Sequence, residues 1–333
     1  MSSILSEVAA EGLGLMNFTW KPQPTDKETA FAVMNEAIKT NLPKKTFFNG
    51  GEFYGPDNIN LIYIRDFFAK YPEQRQHVVV SIKGALDETL SPLVTQEGIT
   101  SSIENVVKYI PDLDIFEPAR LDPTVPFQEA ATALDSAIDS GKIKAYTLSE
   151  VKGDTLGEFL KIAKHKPAGV EVEFSLFTRD SIDNGLASVA GEHGIPIVAY
   201  SPLSRGFLTG EIKTKADIPE GDIRHYFERF SEENIKKNRV VVDELVKISE
   251  KRNVTPAQLA LAWLKYHSGK TLEGVNFPKI IPIPSCSSVG RLQENFSPVA
   301  LSDEEFETIA ALLKGNKVHG HRYNEQSEGF LSV

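Results

Sequence analysis

The 333-residue chain has very little cysteine, and its single Cys286 excludes a framework of internal disulfide bonds. It also lacks an apolar run of about 18 residues, so we expect no membrane-spanning helix. Basic residues are in deficit, because 36 Lys and Arg face 46 Asp and Glu for a formal net charge of -10. This balance argues against nucleic acid and anionic membranes as partners. With no secretory signal visible, we predict a cytoplasmic protein and leave the nucleus open.

Patterns that would define several other classes of enzyme are also missing. None of the seven histidines has the spacing of metal ligands, so no metal is predicted. No Ser/His/Asp or Cys/His set for nucleophilic catalysis can be assembled. Gly12-x-Gly14 lacks the third glycine of the dinucleotide-binding fingerprint. These absences disfavour metal-dependent catalysis, covalent catalysis and an open dinucleotide-binding sheet.

Short apolar runs alternate with amphipathic helical patterns along the whole chain. We predict strands at 12–16, 46–48, 77–82, 113–116, 142–148, 170–174, 195–200 and 279–283, with a long insert at 201–230. Helices are predicted at about 26–40, 58–70, 100–109, 126–140, 155–164, 180–191, 232–251, 255–267, 289–295 and 303–313. The strands are apolar throughout rather than alternating, which indicates a parallel sheet. The pattern favours an α/β fold, a single (β/α)8 TIM barrel forming one domain over 1–333, with a doubly wound open sheet as the alternative.

Polar side chains stand where two neighbouring predicted strands end. Asn49 ends the second strand, Tyr54 follows it in a glycine-containing loop, and Lys83 ends the third strand. The carboxyl ends of barrel strands meet at one face, so we expect these side chains to converge. An ammonium beside a phenol stabilises the phenolate, and we predict that Lys83 lowers the pKa of Tyr54 toward neutrality. Such a phenol is a general acid suited to carbonyl reduction, in which hydride arrival leaves an alkoxide.

Three stretches of the chain resemble the aldo-keto reductase family. Phe-Phe-Asn-Gly-Gly-Glu-Phe-Tyr-Gly at 47–55 is similar to the family's Phe-Asp-Thr-Ala-x-x-Tyr-Gly. Ala-Tyr-Ser-Pro-Leu-Ser-Arg-Gly-Phe-Leu-Thr-Gly at 199–210 and the segment 281–295 match two further family patterns. Within the family, the chain most resembles the fungal pyridoxal reductase branch. The resemblance implies NADPH-dependent reduction of a small aldehyde, pyridoxal to pyridoxine, with Tyr54 as proton donor, Lys83 tuning its pKa and Asn49 beside them.

The resemblance also implies which residues hold the cofactor. Tyr200 would stack on the nicotinamide ring, while Ser149 and Glu171 would bind its carboxamide. The pyrophosphate would be wrapped by a loop that consists of Ser201, Pro202, Leu203, Ser204, Arg205, Gly206 and Phe207. The adenosine 2′-phosphate and adenine would be held by Ser285, Ser287, Ser288, Arg291, Glu294 and Asn295.

The chain departs from the family pattern at two catalytic positions. Ala119 stands where the family has histidine, and Asn49 stands where it has aspartate. Asn49 can accept a hydrogen bond from Lys83 but brings no charge, so we expect Glu117 or Glu52 to restore the charge balance.

The missing histidine predicts a roomier pocket beside the tyrosine, suited to a flat aromatic aldehyde. The candidate walls of this pocket are Phe18, Trp20, Arg120 and Tyr226. The same departures leave a second class open, a nucleotide-binding regulatory or redox-sensing subunit of this fold with little turnover. The sequence further favours a monomer or weak homo-oligomer and leaves open whether 201–230 moves as a lid.

Overall fold

Eight parallel strands form the frame of the molecule. The computed structural model describes residues 3–323, 331 and 333, and in it the strands pair with their neighbours in chain order. Seven of them are Leu13–Gly14 (β1), Thr46–Gly51 (β2), Val78–Gly84 (β3), Ile115–Pro118 (β4), Ala145–Ser149 (β5), Gly169–Glu173 (β6) and Ile197–Tyr200 (β7). A hairpin of Thr271–Leu272 (β8) and Val275–Asn276 (β9), which the sequence did not predict, precedes the last barrel strand, Ile280–Pro282 (β10).

The sheet closes between its first and last strands. The Gly12 N–H donates to the Pro282 carbonyl at 2.9 Å, and the Gly14 N–H donates to the Pro284 carbonyl at 3.4 Å. A Cβ atom at Gly12 would lie 2.9 Å from Ile283 Cγ2, so glycine permits this close approach. The predicted (β/α)8 barrel is confirmed, and the open-sheet alternative is wrong. The prediction of one domain over 1–333 includes residues outside the described ones and stays a prediction.

Helices cover the outside of the barrel, mostly where the apolar periodicity predicted them. The longer ones are Lys27–Asn41, Ile59–Lys70, Gln96–Tyr109, Phe127–Asp139, Gly153–Ile162, Leu186–His193, Glu232–Arg252, Pro256–His267, Val289–Asn295 and Asp303–Gly315. Short helices lie at Met16–Thr19 and Asp180–Asp183. The single helix predicted at 180–191 is divided because Gly185 adopts a left-handed conformation with φ 78°. The insert at 201–230 forms short 3-10 turns, Ser204–Thr209, Lys215–Asp217, Ile223–Tyr226 and Glu228–Phe230.

The interior of the barrel is apolar at one end and polar at the other. Its apolar end is a buried cluster that includes Leu5, Val8, Phe47, Val79, Ile115, Val198 and Ile281. Successive inward residues lie two positions apart along a strand. The next inward positions along the strands carry buried polar residues, which are Asn49, Ser81, Glu117, Thr147 and Glu171. The carboxyl ends of the strands thus carry the ionisable groups, which is the end where barrel enzymes place their chemistry.

The end of the chain returns to this polar face. Arg322 pairs with Glu150 at 3.1 Å, and the Tyr323 hydroxyl lies 3.2 Å from that of Tyr200. The Val333 N–H also donates to the Glu150 carbonyl at 3.0 Å. Among the described residues, no helix combines the length and apolarity needed to cross a membrane.

Candidate active site

Lys83 is the centre of the polar face. Its ammonium contacts two carboxylates inside the barrel, Glu171 on β6 and Glu117 on β4, the latter at 3.2 Å. Both carboxylates are fully buried, and Lys83 itself is 5% exposed. The expected contact with Glu117 is therefore present. Glu52, the other expected partner, instead accepts hydrogen bonds from Ser102 and Asn105.

Asn49 is joined to this group through Glu171 rather than directly through Lys83. The Asn49 side-chain amide donates to Glu171 Oε2 at 2.7 Å, while Glu171 Oε1 contacts the ammonium. The expected hydrogen bond from Lys83 to Asn49 is replaced because β3 pairs Ser81, not Lys83, with Asn49. Asn49 instead bonds to Glu171 on β6, which lies 122 residues further along the chain. Glu171, predicted to bind the nicotinamide carboxamide, thus has both oxygens engaged by side chains of this chain.

Tyr54 is held at the mouth of the barrel by aromatic neighbours. It is 7% exposed, and its ring lies on Gly51, where a Cβ atom would approach ring carbons to 2.8 Å. Trp20 stacks on the ring at 5.5 Å, and Phe53 meets it edge-on at 5.0 Å. The Tyr54 carbonyl also accepts a hydrogen bond of 2.7 Å from the Thr19 hydroxyl. The ring therefore has a fixed orientation.

Lys83 lowers the Tyr54 pKa as predicted, but the predicted net shift toward neutrality is wrong. Burial raises the pKa of this phenol to about 12; Lys83 pulls it down, while Glu171 and Glu117 push it up. The two carboxylates offset the ammonium that was expected to dominate. Burial disfavours the Lys83 ammonium, but Glu117 and Glu171 more than compensate and hold its pKa above the ordinary value. Tyr54 consequently keeps its proton, and Lys83 its charge, across the neutral range.

The predicted nicotinamide site lies beside these groups. The Tyr200 ring is 5.5 Å from the Lys83 nitrogen, and the Ser149 hydroxyl accepts a hydrogen bond of 3.3 Å from Arg120. Arg120 also donates to the Ala119 carbonyl at 2.5 Å. An aromatic face and a hydroxyl are therefore available within the same face as the tyrosine and lysine.

The loop predicted to wrap a pyrophosphate is rich in left-handed backbone conformations. Ser201, Ser204, Arg205 and Gly206 all have positive φ, from 46° to 90°. The N–H groups of Ser204 and Gly206 donate to the Ser201 and Leu203 carbonyls at 2.8 and 3.0 Å, so the binding of a phosphate by this loop stays a prediction. The same loop carries Pro202 and Leu203, whereas the Phe207 side chain is fully buried in the core.

The Arg205 guanidinium does not point freely from that loop. It lies between the rings of Phe227 and Tyr323, at 4.4 and 4.5 Å, and 3.9 Å from Glu173. The two aromatic rings hold the guanidinium in place, so it is already ordered for contact with a phosphate at this loop.

The predicted adenosine site lies at the start of the helix Val289–Asn295. The Ser288 hydroxyl accepts a hydrogen bond of 3.3 Å from the Arg291 N–H, and the Arg291 guanidinium pairs with Glu211 and Glu294. The hydroxyls of Ser285 and Ser287 lie in the segment before this helix. Hydroxyls with a half-exposed guanidinium are a donor set that fits a phosphate, provided that Arg291 releases Glu211. Asn295, predicted to contact adenine, is 5% exposed.

The four residues predicted to line the substrate pocket separate into two groups. Trp20 stacks directly on Tyr54, and the Arg120 charge acts on the Tyr54 phenol. Phe18 packs in the main hydrophobic core at 2% exposure, and Tyr226 is 76% exposed. The structure therefore brings only Trp20 and Arg120 to the tyrosine.

The sequence analysis missed a second charged cluster at this end of the barrel. Glu173 lies 3.5 Å from Arg229, and Glu150 pairs with Arg322. Burial disfavours the Glu150 carboxylate, but Arg322 and Arg120 hold its pKa below the ordinary value. No local pattern could have revealed these pairs, because tertiary folding alone brings Arg322 from the end of the chain. In the described part of the chain, no group of three or more His, Cys, Asp or Glu side chains is arranged to hold a metal ion.

A buried phenol and a buried ammonium at the carboxyl ends of the barrel strands, where barrel enzymes place their chemistry, define the class as a (β/α)8-barrel protein with a candidate active site at that end. Comparison with known proteins agrees. The model of the Aldo/keto reductase family matches residues 12–314. The chain therefore belongs to the aldo/keto reductase family and is an NADP-dependent oxidoreductase that acts on aldehydes.

Two similar proteins align with almost the whole length of this chain. A Saccharomyces cerevisiae protein with the provisional name pyridoxal reductase is 42% identical, covering 94% of this chain and 95% of that protein. A Schizosaccharomyces pombe protein, provisionally named pyridoxal reductase 2, is 34% identical over 98% of both chains. The solved structure of a glycerol dehydrogenase from Gluconobacter oxydans has a TM-score of 0.77 at 20% identity, covering 94% of this chain and 93% of that one. The structural likeness confirms the fold.

Proposed function

We propose that this protein reduces pyridoxal to pyridoxine with NADPH, using Tyr54 as the proton donor. The observation that carries the proposal is a buried tyrosine that lies between Trp20 and Gly51 at the polar face of the barrel. Its pKa, which burial raises to about 12, agrees with a phenol that is protonated at neutral pH. A donor that stays protonated at neutral pH can transfer its proton to the alkoxide left by hydride addition. The two provisionally named pyridoxal reductases, which match nearly the full chain, support this choice of aldehyde.

The other residues of the polar face have separate roles in binding the cofactor and in proton transfer. Bound NADPH supplies the hydride from its nicotinamide. Tyr200 offers an aromatic face and Ser149 a hydroxyl to orient that ring, while the left-handed loop around Arg205 and Gly206 binds the pyrophosphate. Lys83 stabilises negative charge on the Tyr54 oxygen after the proton has left.

The pocket wall suits the chemistry of pyridoxal. Trp20 provides a flat face for the pyridine ring, and it already stacks against Tyr54 at 5.5 Å. Arg120 provides a fixed cation for the phenolic oxygen that neighbours the aldehyde, since its guanidinium is held by Ser149 and the Ala119 carbonyl. The rival idea of a nucleotide-sensing subunit with little turnover is not favoured, because the relatives that match nearly the whole chain carry enzyme names.

The test compares the wild-type protein with Tyr54→Phe by following the loss of NADPH absorbance with pyridoxal. We expect Tyr54→Phe to lower kcat at least 100-fold, because removal of a general acid costs about 10²–10⁴ in rate. Tyr63→Phe is the matched control, since Tyr63 is equally buried and its hydroxyl donates only to the Thr25 carbonyl at 2.8 Å. NADH replaces NADPH in a parallel series to measure the cofactor preference. Tight NADPH binding without turnover of pyridoxal would contradict the proposal.

We also propose that the protein acts in the cytoplasm, with the nucleus as an open second location, as a monomer or weak homo-oligomer. The excess of acidic side chains and the single cysteine support a reducing, aqueous compartment. Imaging of a fluorescent fusion tests the location, and size-exclusion chromatography across a range of protein concentrations tests the assembly.

A further inference from the structure

The number of charges inside the barrel does not balance if every group is ionised. Glu117 and Glu171 are both fully buried, and both contact Lys83. Within the described residues, neither carboxylate has an ion pair with any other cation. Three full charges would leave a net negative charge in the interior, where an uncompensated ion is very costly.

The titratable groups around the pair do not supply the missing positive charge. Tyr54 from the loop after β2 and Tyr200 from β7 are phenols whose pKa burial raises, so they remain neutral. Arg120, from the segment after β4, donates to the Ala119 carbonyl and to Ser149. Its guanidinium is thus directed to other partners.

Of the other carboxylates at this end, Glu52 is partly exposed and accepts hydrogen bonds from Ser102 and Asn105, whereas Glu150 and Glu173 have cations of their own. Glu150, after β5, pairs with Arg322 at 3.1 Å. Glu173, two residues along β6 from Glu171, faces Arg229 at 3.5 Å and Arg205 at 3.9 Å. The imbalance is therefore confined to Lys83 and its two partners.

The hydrogen bonds of the two carboxyl groups indicate how the imbalance is resolved. Each has its Oε2 fixed by a neutral donor, Thr147 at 2.5 Å for Glu117 and Asn49 at 2.7 Å for Glu171. The two Oε1 atoms meet at Lys83, and the Oε1 of Glu117 is buried with no hydrogen-bond partner in the described residues. One proton held by the pair removes the excess negative charge and leaves one carboxylate to pair with Lys83.

We propose that Glu117 and Glu171 share a single proton and together form the counter-ion of Lys83. The group of three is then neutral, and the lysine keeps its charge beside Tyr54 although the second strand offers only the neutral Asn49. Burial and the neighbouring Glu117 raise the pKa of Glu171 to about 8, which agrees with a carboxyl group that retains a proton at neutral pH. Both glutamates act through Lys83, so they are positioning residues.

The test uses Glu117→Gln, Glu171→Gln and the double variant, because an amide imitates the shape of a protonated carboxyl group. Its activity readout rests on the proposed reduction of pyridoxal. Each single variant keeps one carboxylate for Lys83, so we expect kcat to stay within about fivefold of the wild type while the pH transition near 8 disappears. The double variant leaves the ammonium unpaired, and we expect kcat to fall about 100-fold or more. The combined loss thus greatly exceeds the product of the single losses.

Glu11→Gln is the matched control, because Glu11 forms a partly buried ion pair with Lys265 at 2.5 Å outside the polar face. It is expected to leave kcat and its pH profile unchanged. If Glu171→Gln alone is as inactive as the double variant while Glu117→Gln keeps the wild-type profile, Glu171 is the sole counter-ion and the shared proton is refuted. Losses that simply multiply would refute it equally.

A readout without turnover separates this inference from the proposed function. The pH dependence of thermal unfolding reports the shared proton directly, and either single variant is expected to remove its component near pH 8. NADPH affinity, measured by quenching of its fluorescence, is expected to be unchanged in Glu117→Gln. If the wild type binds NADPH but does not reduce pyridoxal, the proposed function fails, and the unfolding profiles still decide whether the proton is shared. A retained component near pH 8 in both single variants would overturn the inference.

Discussion

At the scale of single residues, charge inside the barrel is the dominant feature of this molecule. The sequence places Asn49, Glu117, Lys83 and Glu171 at inward positions of four strands, but the sign of the Tyr54 pKa shift depends on their combined field. Considered as a pair, Lys83 and Tyr54 predict a lowered phenol pKa. Two buried carboxylates and the loss of solvent reverse that result. Electrostatic predictions from a pair of residues therefore fail where a third and fourth charge are folded against them.

Replacement of Lys83 is predicted to make stability strongly dependent on pH. The Glu171 pKa is already raised from 4.5 to about 8, so its stabilising contribution is complete below pH 4.5 and declines as the pH rises toward 8. Lys83→Met removes the only cation facing the two glutamates in the described structure. We expect Lys83→Met to lower the unfolding free energy by about 3–5 kcal/mol relative to the wild type at pH 8, and by much less at pH 5.

Urea unfolding at both pH values measures this difference. Lys265→Met is the control, because it breaks the ion pair with Glu11 at 2.5 Å, and among the described residues no second carboxylate pairs with Lys265. A Lys83→Met protein with the same loss at pH 5 and pH 8 would contradict the raised carboxyl pKa.

At the scale of elements, the strands and most helices follow from sequence pattern, whereas the closure of the barrel depends on close backbone contacts. Continuous apolar runs and 3.6-residue periodicity place the elements to within a few residues of their observed ends. The division of the helix predicted at 180–191 and the β8–β9 hairpin were missed. Gly185 and the residues of the hairpin act through local backbone conformation, which a hydrophobic pattern does not report.

Gly12→Ala is predicted to destabilise the barrel seam. A Cβ atom at Gly12 would lie 3.0 Å from the Phe47 carbonyl oxygen and 2.9 Å from Ile283, so backbone must shift to accept it. We expect a loss of about 1–3 kcal/mol in unfolding free energy.

Gly157→Ala is the contrasting variant, since Gly157 lies in the helix Gly153–Ile162 with nothing within 4 Å of a new Cβ atom. This substitution should stabilise the protein by about 0.5–1 kcal/mol, because alanine favours helix. Denaturant unfolding of both variants measures the effects, and equal stability changes would argue against a tight seam.

At the scale of the whole molecule, the end of the chain is part of the polar face. Arg322 and Tyr323 return to the region of Glu150, Tyr200 and Arg205, which are remote in sequence. The Glu150 carboxylate is 2% exposed, so it depends on Arg322 for charge compensation.

Arg322→Ala is predicted to detach the chain end from the barrel. We expect a loss of about 3–5 kcal/mol in unfolding free energy, because removal of one partner leaves a buried carboxylate without its main cation. Faster hydrogen exchange of the backbone N–H groups of Lys152 and Val333, which are bonded between the barrel and the chain end, measures the detachment. Arg239→Ala, on an exposed helical pair with Asp243 at 2.8 Å, should change neither quantity appreciably. Unchanged exchange at Lys152 in Arg322→Ala would show that the ion pair does not hold the chain end.

The sequence by itself determined the parallel barrel, the family and the candidate residues at its strand ends, because period and motif are local properties of a chain. Only the tertiary structure decided which of those residues touch. Lys83 contacts Glu171 and Glu117 rather than Asn49, which instead bonds to Glu171. Phe18 lies in the core rather than in the pocket wall, and Arg322 contacts Glu150. The physical reason is that contacts across a barrel depend on the register of its strands and on the number of charged groups buried together in its dry interior. Neither quantity is a property of any short stretch of sequence.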